Sequence, residues 1–598
     1  MLAFSPQLSS LVALLLFATA FCSPVGSQTR KRQTESHGAF TSPNNETDGF
    51  YAIRGVQGSG VQSRYEIRTL QRDHPEMWNL FLLGLQRFMA VDQDDKLSYF
   101  QIAGIHGAPW VPWDGVEGEG NLGYCTHGSN IFGTWHRPYL ALYEEAVQKH
   151  AAAVANEFPA DVRATYQEAA SRLRVPFWDW AMIPSSGGVL APSISAETAE
   201  VTFTNGSRGT IPNPLHSYAF HPFTPTDFPF YPVTVWPTTV RRPTSPFGAN
   251  STSANGEVNA DLTGNQESIR RSLFRLFVEP LTFQQFSNKA GGSEVGNLES
   301  IHDIIHVSFA AGHMAWIAAS SFDPVFWLHH ANIDRILALW QAIYPDTYVE
   351  PQPQSGSTYA IRQGEVQDTS SDLKPFHATS SGAFWTSTTS RDPTTFMYTY
   401  PELADRPSNA TLIRRLRSLY DAGSALPGLD NATAAGIAAA PTSAARDWLV
   451  EIALPPAAAL GSSTYSVRVF VGEPAGADPA AWARDPAYVG LAAAFAGAGG
   501  GDAARGEGTV VKTTVSVTEA VARRALEGRL ESLEEGDVVA FLRRELRWRV
   551  ERDFVEVAVE ELESAGLGVV VKTAVVKTAA GMGEFPERVG EWRVYEVL

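Results

Sequence analysis

Histidine is the residue whose placement in this chain carries chemistry. All 14 histidines lie at or before His377, with four between His106 and His150 and five between His302 and His330. In Glu299-Ser-Ile-His302-Asp-Ile-Ile-His306 the two imidazoles are i and i+4. On a helix they leave one face and can converge on one metal ion, with Glu299 one turn earlier on that face. A third ligand must come from elsewhere, and Phe326-Trp-Leu-His329-His330-Ala-Asn-Ile-Asp334 offers one. Helical neighbours point about 100° apart, so one of the pair reaches the site while the other packs or hydrogen-bonds behind it. Asp334, four residues after His330, is expected to orient that ring. The N-terminal cluster supplies a matching set: His106 in Ile-His-Gly, His127 in Tyr124-Cys-Thr-His, and His136 in Phe132-Gly-Thr-Trp-His-Arg-Pro-Tyr139. Three plus three histidines suit a metal that prefers imidazole and keeps a coordination position open, copper first. Zinc accepts a histidine trio equally, and di-iron would want carboxylates.

Helices should position these rings. Apolar residues recur at helical spacing over 76–90 and 139–155, and Asp323-Pro324 opens a third helix running to about Tyr344, with Asp to cap and Pro at the first helical position. Residues 181–265, rich in Pro, Gly, Ser and Thr, read as long surface loops. After Tyr400 the character changes. Alternating runs predict strands over 465–471, 509–517, 554–559, 569–576 and 592–597, interrupted by a helical piece over 519–533. Two Ala/Gly-rich stretches, 423–446 and 493–508, read as linker and loop. The boundary between the histidine-bearing unit and this β-rich unit falls near 401–410, and there is no internal repeat.

Composition narrows the function classes. The 598 residues carry 46 Lys+Arg against 64 Asp+Glu, a formal charge of −18, with 44% hydrophobic residues and only 2 cysteines. The acidic balance argues against nucleic acid or an anionic membrane surface as partner. Two cysteines exclude a disulfide framework and any cysteine-rich zinc module. Residues 11–21 form an apolar run of signal-peptide length ending in small residues, and Arg30-Lys31-Arg32 is a processing-type basic cluster, so the mature chain is expected to begin near Gln33. Sequons at Asn45, Asn205, Asn250, Asn409 and Asn431 fit a secreted, extracellular protein. No other segment reaches the ~18 apolar residues that a spanning helix needs. Loss of the leader would remove Cys22 and leave Cys125 as a lone thiol in an oxidising compartment, where it should be buried, paired between chains or chemically committed.

The strings YFQIAGIHG (99–107), GYCTHGS (123–129), TWHRPYLALYE (134–144) and FDPVFWLHHANIDR (322–335) resemble the two copper-binding regions of tyrosinase and the related polyphenol oxidases, in the fungal branch. The resemblance covers roughly residues 50 to 402, and the tail fits the C-terminal shielding domain of these proteins. It implies a mainly α catalytic domain, a four-helix bundle holding a dicopper site among long loops, plus a β-rich C-terminal shielding domain. In chain order these are a signal peptide and propeptide over 1–32, a catalytic domain over 33–405, and an inhibitory, removable domain over 406–598. His106, His127 and His136 would hold one copper ion, and His302, His306 and His330 the other, with the second histidine of the pair as ligand. Cys125 stands where fungal members form a cysteine-histidine thioether, here to His127. Glu299 falls where the family keeps a carboxylate that positions a water. Phe326 matches the aromatic beneath the substrate ring, and Ile317 the gate position. The residue after the first ligand of the second copper, often Asn in strong monophenol hydroxylases, is Asp303 here and adds charge near the metal. Tyr398-Thr-Tyr400 resembles the tyrosine motif that closes the catalytic domain.

The implied activity uses O2 to hydroxylate monophenols to o-diphenols and to oxidise o-diphenols to o-quinones, precursors of melanin-type pigments, in a latent protein that a processing protease releases. The partners are small phenolic and catecholic substrates. Three alternatives stay open at this level: a catechol oxidase without significant monophenolase activity, an O2 carrier like haemocyanin, and a zinc hydrolase on the same histidines.

Overall fold

Residues 49–230, 232–245, 248–421, 446–456, 464–495 and 510–597 are described by a computed structural model. The leader, the tribasic cluster and the sequons at Asn45 and Asn431 lie outside the described residues, whereas Asn205, Asn250 and Asn409 are exposed. Among the described residues no helix is long and apolar enough to cross a membrane.

The helical unit is assembled from the apolar stripes read in the sequence. Pro75–Met89, opened by Pro75 with its preset φ, buries Leu80, Phe81, Leu82, Leu85 and Phe88. It packs along Phe132–Ala155, and the approach is close enough that a Cβ on Gly84 would meet Ala151 backbone at 2.8 Å. Phe132–Ala155 begins seven residues before the expected start. Pro138 removes one backbone donor inside the helix. The turn survives because Trp135, Arg137, Tyr139, Leu140 and Leu142 around it are buried. Val325–Ile343 packs across the same helix, and Asp323 Oδ1 caps it by accepting the Val325 N–H at 3.0 Å. Leu298–Ser308, capped by Asn297, is buried along its whole length.

The 181–265 region differs from its reading as loops at its C-terminal end. A helix, Asn255–Val278, starts there and runs 24 residues. Its buried positions recur at helical spacing, but Asp261, Asn265, Ser268 and Ser272 are polar, so hydropathy alone does not disclose it.

The β-rich unit is two four-stranded antiparallel sheets. One orders Tyr488–Ala494, Tyr465–Val471, Leu546–Arg552 and Val555–Val557; the other orders Val511–Ser516, Arg446–Leu454, Gly568–Lys577 and Glu587–Glu596. Alternate valines, Val467, Val469 and Val471 from the first sheet with Val450, Val515 and Val571 from the second, share one core. This unit docks on the polar face of Asn255–Val278. Arg468 Nη1 reaches Asp261 at 2.6 Å, Arg275 reaches Asp447 at 2.9 Å, and Tyr488 OH donates to Asn265 at 2.6 Å. Gly264 is needed at the contact, because a Cβ would fall 2.4 Å from the Ala483 carbonyl oxygen.

Candidate metal centre

Four of the six candidate ligands sit on helices: His136 on Phe132–Ala155, His302 and His306 on Leu298–Ser308, and His330 on Val325–Ile343. His106 follows the short helix Tyr99–Gly104, and His127 lies in an irregular segment. The six rings meet in one cluster. Ring centroids are 5.6 Å apart for His106 with His127 and with His136, 4.4 Å for His302 with His306, 4.9 Å for His302 with His330, and 4.2 Å for the stacked His136 and His330. The donor atoms of His302, His306, His329 and His330 lie within 4.8 Å of one another, as do those of His106, His136 and His330, so His330 joins both halves.

Three of the rings are aimed by a backbone carbonyl at their second nitrogen. His106 Nδ1 bonds the Ile317 carbonyl at 2.9 Å, His136 Nδ1 the Phe132 carbonyl at 2.8 Å, and His306 Nδ1 the Met314 carbonyl at 2.7 Å. A carbonyl can only accept, so the proton sits on Nδ1 and the Nε2 lone pair is turned inward. Those Nε2 atoms, and that of His127, are buried without a hydrogen-bond partner. His302 Nδ1 bonds Asp303 Oδ1 at 2.9 Å, and its Nε2 faces His330 Nε2 at 3.3 Å. Burial, followed by the neighbouring imidazoles, holds His106, His127, His302 and His330 far below the usual histidine range, and burial brings His136 down to about 4 and His306 to about 3. All six are neutral at physiological pH. Buried neutral donors with nothing to bond are what a soft-to-borderline cation requires.

His329 is prepared differently. Trp180 Nε1 donates to its Nδ1 at 3.1 Å, so the neutral ring carries its proton on Nε2 and keeps no free lone pair. The expectation for Asp334 is overturned. Its carboxylate takes Arg137 at 2.6 Å, Tyr398 OH at 2.6 Å, Tyr400 OH at 2.5 Å and Arg64 at 3.4 Å, while His330 Nδ1 has no partner. Two buried guanidiniums outbid an imidazole for that anion. The tyrosine motif therefore closes on Asp334.

The other candidates are all within this neighbourhood. Cys125 Sγ is 3.5 Å from His127 Nδ1, in a setting whose burial raises the thiol. Glu299 is wholly buried, and its two oxygens accept the Gly128 N–H at 2.7 Å and the Lys289 N–H at 3.0 Å. Phe326, also wholly buried, sets its ring 4.8 Å from His106 and 4.1 Å from His330. Ile317 is half-buried and contributes the carbonyl that holds His106. His313 accepts the Val240 N–H at 3.0 Å and packs with Trp236.

Two residues escaped the sequence reading. Phe495, 1% exposed, comes from the β-rich unit and stacks on His306 with centroids 4.5 Å apart and an 18° tilt, and meets His302 and His127 in T-shaped contacts with centroids 6.1 and 6.2 Å apart. It lies in the Gly/Ala-rich stretch read as a loop, where its being the lone large aromatic was the available signal. The rest of that stretch, from 496, lies outside the described residues. Lys289, the second, forms an ion pair with Asp303 at 2.6 Å, and no spacing rule in the sequence connects them.

An imidazole-lined dinuclear centre on a helical scaffold, covered by a β-rich unit, is the class that fold and site define. The family model described as the common central domain of tyrosinase matches residues 96–343, and that of the tyrosinase C-terminal domain matches 447–571. Tyrosinase of Neurospora crassa is 40% identical over 380 residues, covering 60% of this chain and 55% of the relative; tyrosinase of Podospora anserina is 39% identical over 380 residues, covering 60% and 65%. The matched stretches thus span less than two thirds of these relatives. A crystal structure of mushroom tyrosinase containing latent and active forms superposes with TM-score 0.78 at 25% identity, over 91% of this chain and 98% of that one. The chain belongs to the tyrosinase family. That family uses a dinuclear copper site, and the buried unpartnered imidazole nitrogens fit it.

Proposed function

We propose that this chain is a latent polyphenol oxidase that hydroxylates monophenols and oxidises o-diphenols to o-quinones with O2. The observation that carries the reading is the set of neutral imidazoles with unpartnered donor atoms turned into one buried space beneath Phe495. His106, His127 and His136 would hold one copper ion, and His302, His306 and His330 the other. Bound copper supplies the electrons that O2 accepts and takes electrons from the phenol. His329, its lone pair engaged by Trp180, is left out of the ligand set. Glu299 keeps one further lone pair on each oxygen beyond its two backbone donors, and through a water it accepts the proton of an entering phenol. Phe326 wedges the His106 and His330 rings that line the substrate space. The half-buried Ile317 side chain stands at the gate position. Cys125 forms the thioether that fixes the ring of His127, whose Nδ1 has no backbone carbonyl partner. Residues 49–421 form the catalytic unit and the β-rich part from 446 onward the shield, with Phe495 occupying the space a substrate ring would take. Secretion is the reading that the leader pattern and the exposed sequons at Asn205, Asn250 and Asn409 support.

The experiment is metal analysis and turnover on one preparation. Copper-loaded full-length protein should hold two copper ions per chain and oxidise catechol slowly, and limited proteolysis should raise that rate. Tyrosine, followed for a lag and then quinone absorbance, separates a tyrosinase from a catechol oxidase. Cut protein holding two copper ions and oxidising no catechol overturns the reading.

A further inference from the structure

Asp303 is a buried anion one residue from a candidate copper ligand. Its Oδ1 accepts the His302 Nδ1–H at 2.9 Å, and its Oδ2 takes the Lys289 ammonium at 2.6 Å. His106, His136 and His306 give the same proton to backbone carbonyls, which are neutral. His302 gives it to a carboxylate, which alone would place a full negative charge against the ligand in a low-dielectric setting.

Lys289 is placed to cancel that charge. It opens the 3₁₀ turn Lys289–Gly291, which Asn288 caps by accepting the Ala290 N–H. Its backbone N–H donates to Glu299 Oε2 at 3.0 Å, and its ammonium lies 3.6 Å from Glu299 Oε1. One lysine thus ties together the two carboxylates that flank His302 on its helix. The ammonium is 5% exposed and both carboxylates 0%. Strand Val511–Ser516 of the β-rich unit packs over this turn, and Thr514 Oγ1 donates to the Val295 carbonyl at 3.0 Å. Burying three ionised groups beside a metal centre is unfavourable unless each meets a partner; here the ammonium meets both anions.

We propose that Lys289 is a positioning residue for the second trio: its ammonium holds and neutralises the Asp303 carboxylate that orients His302, so that an ionised residue stands beside the copper pair without adding net charge to it. This rests on the copper reading above. In effect the Lys289–Asp303 pair does for His302 what a neutral acceptor would do, and the charge that Asp303 brings to this position does not reach the metal.

The test is a charge cycle on the full-length, copper-loaded protein. The ratio of oxidised to reduced copper is read at one fixed applied potential for wild type, K289M, D303N and the double variant K289M/D303N. Removing the ammonium alone should favour oxidised copper by roughly tenfold, the scale of one unit charge several ångströms away in a protein interior. Removing the carboxylate alone should favour reduced copper by a similar factor, and the double variant should return to within about twofold of wild type. A purely structural role for Lys289 gives no such opposite, cancelling shifts. If K289M does not fold, the step from D303N to K289M/D303N removes the same ammonium and should move the ratio by the same factor. An unmoved ratio in K289M, or a double variant that does not recover, overturns the proposal. Wild type with two copper ions but no phenol turnover removes the functional reading and leaves this comparison standing, and wild type that binds no copper removes both.

Discussion

At the scale of single residues, Phe495 and Cys125 yield the sharpest expectations. Phe495 is held over the candidate copper ligands by stacking on His306, and an aromatic pair contributes ~0.5–1.5 kcal/mol beyond its buried area. Phe495→Ala should therefore raise the open fraction of the uncut chain about twofold to tenfold, seen as faster catechol oxidation without proteolysis. Equal rates for uncut variant and uncut wild type would show that the plug is not what keeps the protein latent. For Cys125, a thioether removes two hydrogen atoms, so the copper-loaded protein should be lighter by that amount and show no alkylatable Cys125 even when denatured and reduced. A thiol that alkylates freely in copper-loaded protein refutes the bond. That the candidate histidines gather in one cluster was legible in the sequence, because i, i+4 spacing and the resemblance both bear on residue type and local geometry. What was not legible is which atoms aim them: the carbonyls of Ile317, Met314 and Phe132 belong to backbone conformations that no residue type announces.

At the scale of elements, the helix Asn255–Val278 is the rail on which the β-rich unit, the proposed shield, sits. Its charged partners are nearly all interdomain, and the buried one is Asp261 with Arg468, at 3% and 1% side-chain exposure. Arg468→Met would leave Glu551 without its cation and Asp261 with only the more distant Arg242, at 4.0 Å. Loss of one partner from a buried pair costs ~3–5 kcal/mol, so the variant should be cut faster by protease and show higher uncut activity. The same surface should respond to pH at both ends. Burial alone would raise the Asp447 carboxyl, but Arg275, next in influence, holds it below the ordinary 3.8. Its contribution to docking is thus complete above that value and is lost as pH falls through the depressed one. Glu267 moves the other way, raised from 4.5 first by burial and then by Glu519, which keeps its charge against Arg271. Its contribution is complete below 4.5 and is lost as pH rises through the raised value. Shield release measured across pH should therefore increase at both limits, and Glu267→Gln should remove the alkaline increase alone. The helix escaped sequence reading for the reason that makes it a rail. Its inner face is built to meet charge and hydroxyl, so the apolar period is broken at Asp261, Asn265, Ser268 and Ser272. Strands with uninterrupted alternation, such as Tyr465–Val471, were plain, whereas Tyr488–Ala494, diluted by Gly490 and three alanines, was not.

At the scale of the whole molecule, the proposed catalytic unit must part from the proposed shield at a definite point in the chain. The tyrosine motif puts the end near residue 405, and Arg414-Arg415 is a dibasic pair of the kind a processing protease cuts. The packing argues for a later end. Helix Asn409–Tyr420, capped by Ser408, inserts Leu412, Leu416 and Tyr420 into the helical core, and Tyr420 OH bonds Asp179 and accepts from Arg335, each at 2.7 Å. Arg415 is itself paired with Asp405 and bonded to the Glu402 carbonyl. Burying side chains of that size stabilises by ~1.5–3 kcal/mol each, so a chain ending at 405 should lose about 4 kcal/mol or more relative to one ending at 421, measured by denaturant unfolding of both. The surface uncovered on the other side, by contrast, is the polar face of Asn255–Val278, which water can solvate. A chain ending at 421 should then fold, hold two copper ions and oxidise catechol at the rate of proteolysed full-length protein. Were the 405 and 421 chains equally stable, Asn409–Tyr420 would belong with the shield and the earlier boundary would stand.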